Sequence, residues 1–236
     1  MTEERQKQYW MAGIKSLIIS YIIYSVQALV FYFSAGEIIP VRTWIYFGTT
    51  FIHVTVNSVV QWKLNPTLLI QRLKIRREGS KSWDEVLMRV CNLTIILAVP
   101  IVTGLDAGRF HWSTLDISLI PLGLVLVALS TILINWAMVA NPFFEATVRI
   151  QKNRAHEVVT RGPYKLVRHP GYLSGILFSL AIPLLIGSVF TFIPSGIYIL
   201  LMIIRTELEE KTLRKELSGY TEYVKKTKHR LFPGIW

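Results

Sequence analysis

One cysteine in 236 residues leaves little room for thiol chemistry. Cys91 has no second thiol in the chain to pair with, so an internal disulfide framework is excluded, and a cysteine metal site needs more ligands. Set inside an apolar run, Cys91 reads as a small core residue. Acidic side chains are also scarce, with 15 Asp and Glu against 26 Lys and Arg and a formal net charge of +11. Charged residues make up only 17% of the chain, below the roughly 25% of soluble domains. The cations flank apolar blocks and form no separate basic domain, so no nucleic-acid partner is expected. Repeats and low-complexity runs are absent. No cleavable signal peptide is expected either, because the first apolar block is too long for the apolar core of one.

What the chain has in excess is apolar sequence, 52% of all residues, gathered in long blocks. The blocks run from about Ile14 to Ser34, Trp44 to Trp62, Val90 to Gly104 and Ile117 to Ala140. Each approaches the length of about 20 residues that crosses a bilayer as a helix. The third is the shortest and carries Asn92 and Pro100. A final stretch, Tyr172 to Ile204, is too long for one span and barely long enough for two. Its middle holds Pro183, Gly187, Ser188, Pro194, Ser195 and Gly196, which break a helix. Such a break requires backbone partners inside the protein. The expected fold is all-α, a multi-span membrane bundle of about four spans plus a C-terminal helical hairpin and a cytoplasmic cofactor-binding segment. Residues 1–140 read as an N-terminal transmembrane scaffold and 141–236 as the region dense in polar detail.

Lys and Arg set the expected topology. Six lie between Lys63 and Lys81, six between Asn141 and Pro170, and eight between Arg205 and Arg230. The two remaining loops, Glu37 to Thr43 and Leu105 to Asp116, carry one each, Arg42 and Arg109. Cytoplasmic loops are enriched in cations, which puts the rich segments and both termini in the cytoplasm.

Three polar runs fall on that side. The first is His156-Glu157-Val158-Val159-Thr160-Arg161-Gly162-Pro163-Tyr164, a Gly-Pro turn followed by an aromatic. The second is Arg168-His169-Pro170-Gly171-Tyr172, where the chain re-enters the apolar phase. There Pro170 donates no backbone hydrogen bond and Gly171 permits close approach. The third is Arg205-Thr206-Glu207-Leu208-Glu209-Glu210. Its spacing puts Arg205 with Glu209, Glu207 with Lys211 and Glu210 with Arg214 on shared helix faces. Singly, each run is an interfacial histidine, a surface ion pair or a set of interfacial aromatics. Together they set a cation, an acid and a histidine beside one hairpin at membrane depth, where charged groups are costly and usually face a polar cavity.

With Gly219-Tyr220, Tyr223, Arg230 and Pro233 added in order, these runs resemble the isoprenylcysteine carboxyl methyltransferase family. They are more loosely similar to the phospholipid N-methyltransferases. The resemblance covers about residues 150–236. It implies a helical membrane bundle with a cytoplasm-facing S-adenosylmethionine pocket and a lipid-facing tunnel for a prenyl chain. By position, it implies that His156, Glu157, Val158, Val159, Tyr164, His169, Pro170, Gly171 and Tyr172 line the cofactor pocket, with Glu209 and Glu210 on its acidic side. Gln151 stands where a pocket glutamine often sits, at a different spacing. Arg205, with Glu209, is implied at the methyl-transfer site. The expected partners are the lipid bilayer and a lipid-like or prenylated substrate.

The residue types suit that chemistry. A carboxylate is already ionised near neutrality, so its methylation needs alignment and exclusion of water, not a strong base. Arg205 is suited to gripping a carboxylate with its fork. Three alternatives stay open: methyl transfer to an amine, which needs a nearby base; a nicotinamide-dependent membrane reductase of similar architecture; and a non-enzymatic scaffold.

Overall fold

The computed structural model describes residues 2–36, 40–74 and 78–236. Glu37, in the first cation-poor loop of the topology argument, and Arg76 and Arg77, in its first basic segment, lie outside the described residues. Among the described residues every regular element is helical. The order is α1 (Glu3–Ala35), α2 (Pro40–Leu64), α3 (Pro66–Arg72), α4 (Ser82–Leu93), α5 (Val99–Gly104), α6 (Ile120–Ala140), α7 (Pro170–Ile186), α8 (Phe192–Glu216) and α9 (Tyr220–Lys226). The all-α expectation therefore holds.

Three rods are long and apolar enough to cross a membrane: Glu3–Ala35, Ser82–Phe110 and Ile117–Ala140. Their outward faces stay apolar, with Ile18, Ile22, Leu29, Leu93, Val125 and Ile132 exposed. Exposure of that kind along whole helices marks lipid-facing surface, and the chain has the helices of an integral membrane protein.

The second expected span, α2, is long enough but more polar. Its polar side chains face inward and find one another. Tyr21 bonds Thr55 (3.1 Å) and Ser20 bonds Ser58 (3.2 Å) across α1 and α2. His53 bonds Thr131 on α6 (2.7 Å) and Asn57 (3.0 Å), and Asn135 donates to Asn57 (2.6 Å). Polar groups at membrane depth are tolerated when helices share them in this way.

The third expected span is longer than its apolar block. α4, a π-helical turn (Thr94–Ala98), α5 and a second π-helical segment (Leu105–Phe110) form one rod from Ser82 to Phe110. Its first turns are amphipathic, so hydropathy alone starts the rod eight residues too late. Pro100 removes a backbone donor from the π-helical turn. Gln27 Nε2 reaches the Ile95 carbonyl there (3.1 Å), and extra turns of this kind commonly absorb such defects.

The hairpin turns at Gly187–Thr191 between α7 and α8. Pro183 inside α7 leaves the Ser179 carbonyl without its helical donor, and Ser195 Oγ supplies one (3.0 Å). The lone cations of the two cation-poor loops also serve helix ends. Arg42 donates to the Leu115 (2.6 Å) and Leu184 (3.4 Å) carbonyls, and Arg109 donates to that of Phe33 (2.7 Å). Buried Asp106 accepts from Ser113 and Ser188 at the same end. Both cation-poor loops and the hairpin turn thus share one end of the bundle. The basic segments gather at the other, where Asn65 bonds the Met138 carbonyl (2.8 Å) and Lys81 pairs with Glu216 (2.7 Å).

The rod Ser82–Phe110 packs on α1 through Gly104 and Gly108. A Cβ on Gly108 would lie 2.4 Å from that of Ala35, and one on Gly104 would lie 2.7 Å from the Phe31 carbonyl oxygen. Small residues four apart let membrane helices approach this closely. Gly108→Ala is expected to cost about 1–3 kcal/mol of stability by overpacking, seen as a lower thermal midpoint in detergent. Gly48→Ala, whose Cβ meets nothing within 4 Å, is expected to leave the midpoint unchanged or raise it.

Candidate active site

Residues 141–169 leave α6, fold over the basic end of the bundle and return as α7. Gly162 turns with φ +61° at a point where a Cβ would lie 2.9 Å from that of Ala140. That turn seats Tyr164 in the core, where its hydroxyl meets Asn141 Nδ2 (3.1 Å) and its carbonyl accepts from Tyr223 (2.7 Å). Gly171 at the start of α7 admits the Phe144 ring to 2.3 Å from the position of its absent Cβ. The tail closes the other side, with Arg168 and His169 donating backbone N–H groups to the His229 (3.0 Å) and Arg230 (2.9 Å) carbonyls.

A cavity of about 250 Å³ lies among these elements. His156, Glu157, Val158, Val159, Tyr164, His169, Pro170, Gly171, Tyr172, Arg205 and Glu209 all line it. Two of the expected residues do not. Buried Gln151 donates to the Phe143 carbonyl (2.8 Å) and accepts from Arg154 (2.6 Å), which fixes the loop behind the wall. Glu210 is buried one position past the wall and binds cations instead. The wall also draws on residues before 141, among them Arg72, Met88, Ile134 and Met138.

The polar contacts form two groups. In the first, Tyr172 donates its hydroxyl to Glu209, while His169 Nδ1 lies 3.6 Å from the same carboxylate. The Tyr172 ring stacks on His169 (centroids 5.4 Å) and carries Arg205 over its face at 4.9 Å. Behind them Glu210 binds Arg168 Nε, Arg230 Nε (3.1 Å) and, more distantly, Arg214 (3.5 Å). Burial opposes ionisation of Glu210, but His169 and Arg168 outweigh it and hold its carboxyl well below the usual range. In the second group, Arg205 does not pair with Glu209, although they share a helix face. Its Nε and Nη2 grip Asp84 at 2.7 and 3.2 Å, and Nη2 also donates to the Ala146 carbonyl (2.9 Å).

Asp84 is fully buried, and the motif reading had no place for it. A signal for it does exist in the sequence. Asp84, Leu87, Met88 and Cys91 fall at i, i+3, i+4 and i+7, so an acid occupies the apolar stripe of α4. Tyr220, part of the resemblance without an assigned role, also lines the cavity.

The residues present fit a cationic, polar-ended ligand such as S-adenosylmethionine. The Tyr220 hydroxyl is buried with no hydrogen-bond partner among the described residues and belongs to a residue of the cavity wall, whereas His169 Nε2 lies 3.4 Å from the Glu210 carboxylate behind that wall. Buried polar atoms ordinarily have partners, so an incoming ligand gains from meeting this hydroxyl. The carboxylates of Glu157 and Glu209 stand in the same wall.

His156 stacks on Phe143 (4.5 Å), and its Nδ1 accepts from the Gln151 N–H at 3.4 Å. Burial, with Arg154 and Arg149 nearby, lowers its pKa from 6.5 to about 4. In the unfolded chain the ring takes a proton first, so its contribution to stability is complete above pH 6.5 and is lost as pH falls toward 4. His156→Phe keeps the stack and removes the titration. Between pH 6.5 and 5 its thermal midpoint is expected to fall less steeply than that of the parent protein.

No curated protein matches the chain. Residues 122–215 match the model of the Isoprenylcysteine carboxyl methyltransferase (ICMT) family. That span takes in most of α6, the segment over the cavity, α7 and nearly all of α8. Over that region, which holds both the Arg-His-Pro-Gly-Tyr turn and Arg205 to Glu210, the chain is similar to the isoprenylcysteine carboxyl methyltransferase family.

Proposed function

We propose that this chain is an integral membrane enzyme that moves a methyl group from S-adenosylmethionine to the carboxylate of a prenylated cysteine or a similar lipid-like acid. The observation that carries the reading is the meeting, in one cavity, of polar residues from 156–172 and 205–209 with an apolar wall. Met88 of α4 and Tyr198 and Met202 of α8 contribute that wall. The end bearing the cavity holds the basic segments, and we assign it, with both termini, to the cytoplasm.

Bound there, S-adenosylmethionine supplies an electrophilic methyl, which bonds to a carboxylate oxygen as its bond to sulfur breaks. Glu209, fixed by Tyr172, balances the positive charge of the donor. The Tyr220 hydroxyl meets its polar groups, and His156 to Val159 with Tyr164 close round its remainder. Arg205 presents its remaining nitrogen, Nη1, to the acceptor; among the described residues Nη1 has no hydrogen-bond partner. The segment over the cavity is braced internally by the ion pair of Arg149 with Glu145 (2.7 Å). Alignment of this kind lowers a barrier by about 7–11 kcal/mol when the geometry is well held.

One observation favours an amine acceptor as the second reading: the charge of Arg205 is already balanced by Asp84. In that case His169 is the group in reach of a departing proton. The test is methyl incorporation from labelled S-adenosylmethionine into a panel of prenylated thiol acids, fatty acids and phospholipids. Label released by mild base identifies an ester and supports the proposal. Label that survives base identifies the amine reaction. Glu209→Gln is expected to weaken binding of S-adenosylmethionine about ten- to a hundred-fold, the loss of one charge-assisted contact of about 1.5–3 kcal/mol, measured by calorimetry on purified protein. Undiminished binding would remove Glu209 from the donor site. Arg205→Lys keeps the charge but not the fork and is expected to lower turnover. Unchanged turnover would remove Arg205 from the mechanism.

A further inference from the structure

Arg205 is held more firmly than a catalytic grip requires, and from an unexpected quarter. Asp84 sits in the first turn of α4, 121 residues earlier in the chain and outside the matched span 122–215. It is fully buried, and both carboxylate oxygens are committed. Oδ1 accepts from Arg205 Nε, while Oδ2 accepts from Arg205 Nη2 and from the Val148 N–H (2.7 Å). The Ala146 carbonyl takes a second bond from Nη2. Two of the three guanidinium nitrogens are thereby spent and the plane of the group is set. The face of that plane lies over Tyr172.

We propose that Asp84 is a positioning residue for Arg205. It fixes the guanidinium so that Nη1 alone points to the acceptor, and it balances the charge so that the site offers a directed donor and not a free cation. This rests on the reading that Arg205 meets the acceptor. It assigns to the N-terminal half a part in the site beyond lining it.

The rival reading is that Asp84 only ties α4 to the 146–148 segment and α8. Asp84→Asn separates the two. The asparagine oxygen still accepts from the Val148 N–H, while its NH₂ faces the guanidinium, a donor against a donor. The expected result is a fall in turnover of about ten- to a hundred-fold, with affinity for S-adenosylmethionine unchanged and the KM for the acceptor not raised. Unchanged turnover overturns the proposal. So does a fall in turnover matched by an equal loss of donor binding, because that is the signature of a purely structural tie. Should Asp84→Asn not fold, Asp84→Ser gives the same comparison, since its hydroxyl serves Val148 and leaves Arg205 free.

A second readout needs no substrate. The Arg205 Nε–H resonance in ¹⁵N-arginine spectra, assigned by its loss in Arg205→Lys, is expected to be protected from exchange in the parent protein and exposed in Asp84→Asn. Equal protection in both overturns the proposal. A parent protein that binds the donor but methylates no acid in the panel overturns the functional reading instead, and the Arg205 resonance still decides whether Asp84 holds the guanidinium.

Discussion

A buried carboxylate and a buried guanidinium, drawn from opposite halves of the chain, hold the basic end of this bundle together. Asp84 and Arg205 each leave water almost completely, which is costly for ions unless the partner is close and every remaining hydrogen-bonding site is filled. Here both oxygens of Asp84 are filled, and the backbone of residues 146 and 148 supplies the further partners. Loss of one member leaves an uncompensated charge at a cost of about 3–5 kcal/mol. Three pieces of chain meet at this pair: the start of α4, the segment over the cavity, and α8. The cavity exists because they meet there.

A second ionic group works beside the first without sharing members. Glu210 gathers Arg168 from the turn before α7, Arg214 from α8 and Arg230 from the tail. It thereby presses the tail against the Arg-His-Pro-Gly-Tyr turn, and it keeps the neighbouring Glu209 free to face the cavity. Adjacent acids on α8 thus divide the work, one binding cations behind the wall and the other standing in it. Tyr172 ties the Asp84–Arg205 pair to the acid in the wall, because it donates to Glu209 and carries Arg205 over its ring.

Much of this was legible in the sequence, and the parts that were not share a cause. Helix breakers placed the hairpin turn correctly, since Gly187 and Ser188 fall in the break and Pro194 falls in the first turn of α8, where no backbone donor is needed. The resemblance assigned to the cofactor or methyl-transfer site eleven residues that the cavity wall contains. Hydropathy misjudged two helices because it averages over faces. α2 hides a polar seam inward, and α4 starts as an amphipathic turn. Gln151 and Glu210 were misplaced because spacing along a chain does not say which side of a wall a side chain takes. Asp84 was missed because its partner is remote in sequence, although its position within an apolar stripe marks it as an acid that must find a cation.

In the proposed reaction the Asp84–Arg205 pair would also change how the acceptor is recognised. An unpaired arginine at membrane depth attracts any anion and suffers for its exposure to an apolar wall. A paired one is close to neutral at a distance and directional at contact. Recognition of the proposed acceptor would then depend on the geometry of one remaining N–H edge and on the fit of the lipid part against Met88, Tyr198 and Met202, all of which line the cavity. A free carboxylate in solution gains little from such a site, whereas one delivered on a membrane-bound chain arrives already oriented. The same neutrality protects the donor side, because a free cation 4.9 Å from the Tyr172 ring would compete with a sulfonium for Glu209. In the proposed reaction, holding the arginine with an acid from another helix would let one small cavity keep a cationic donor and an anionic acceptor apart until they are aligned.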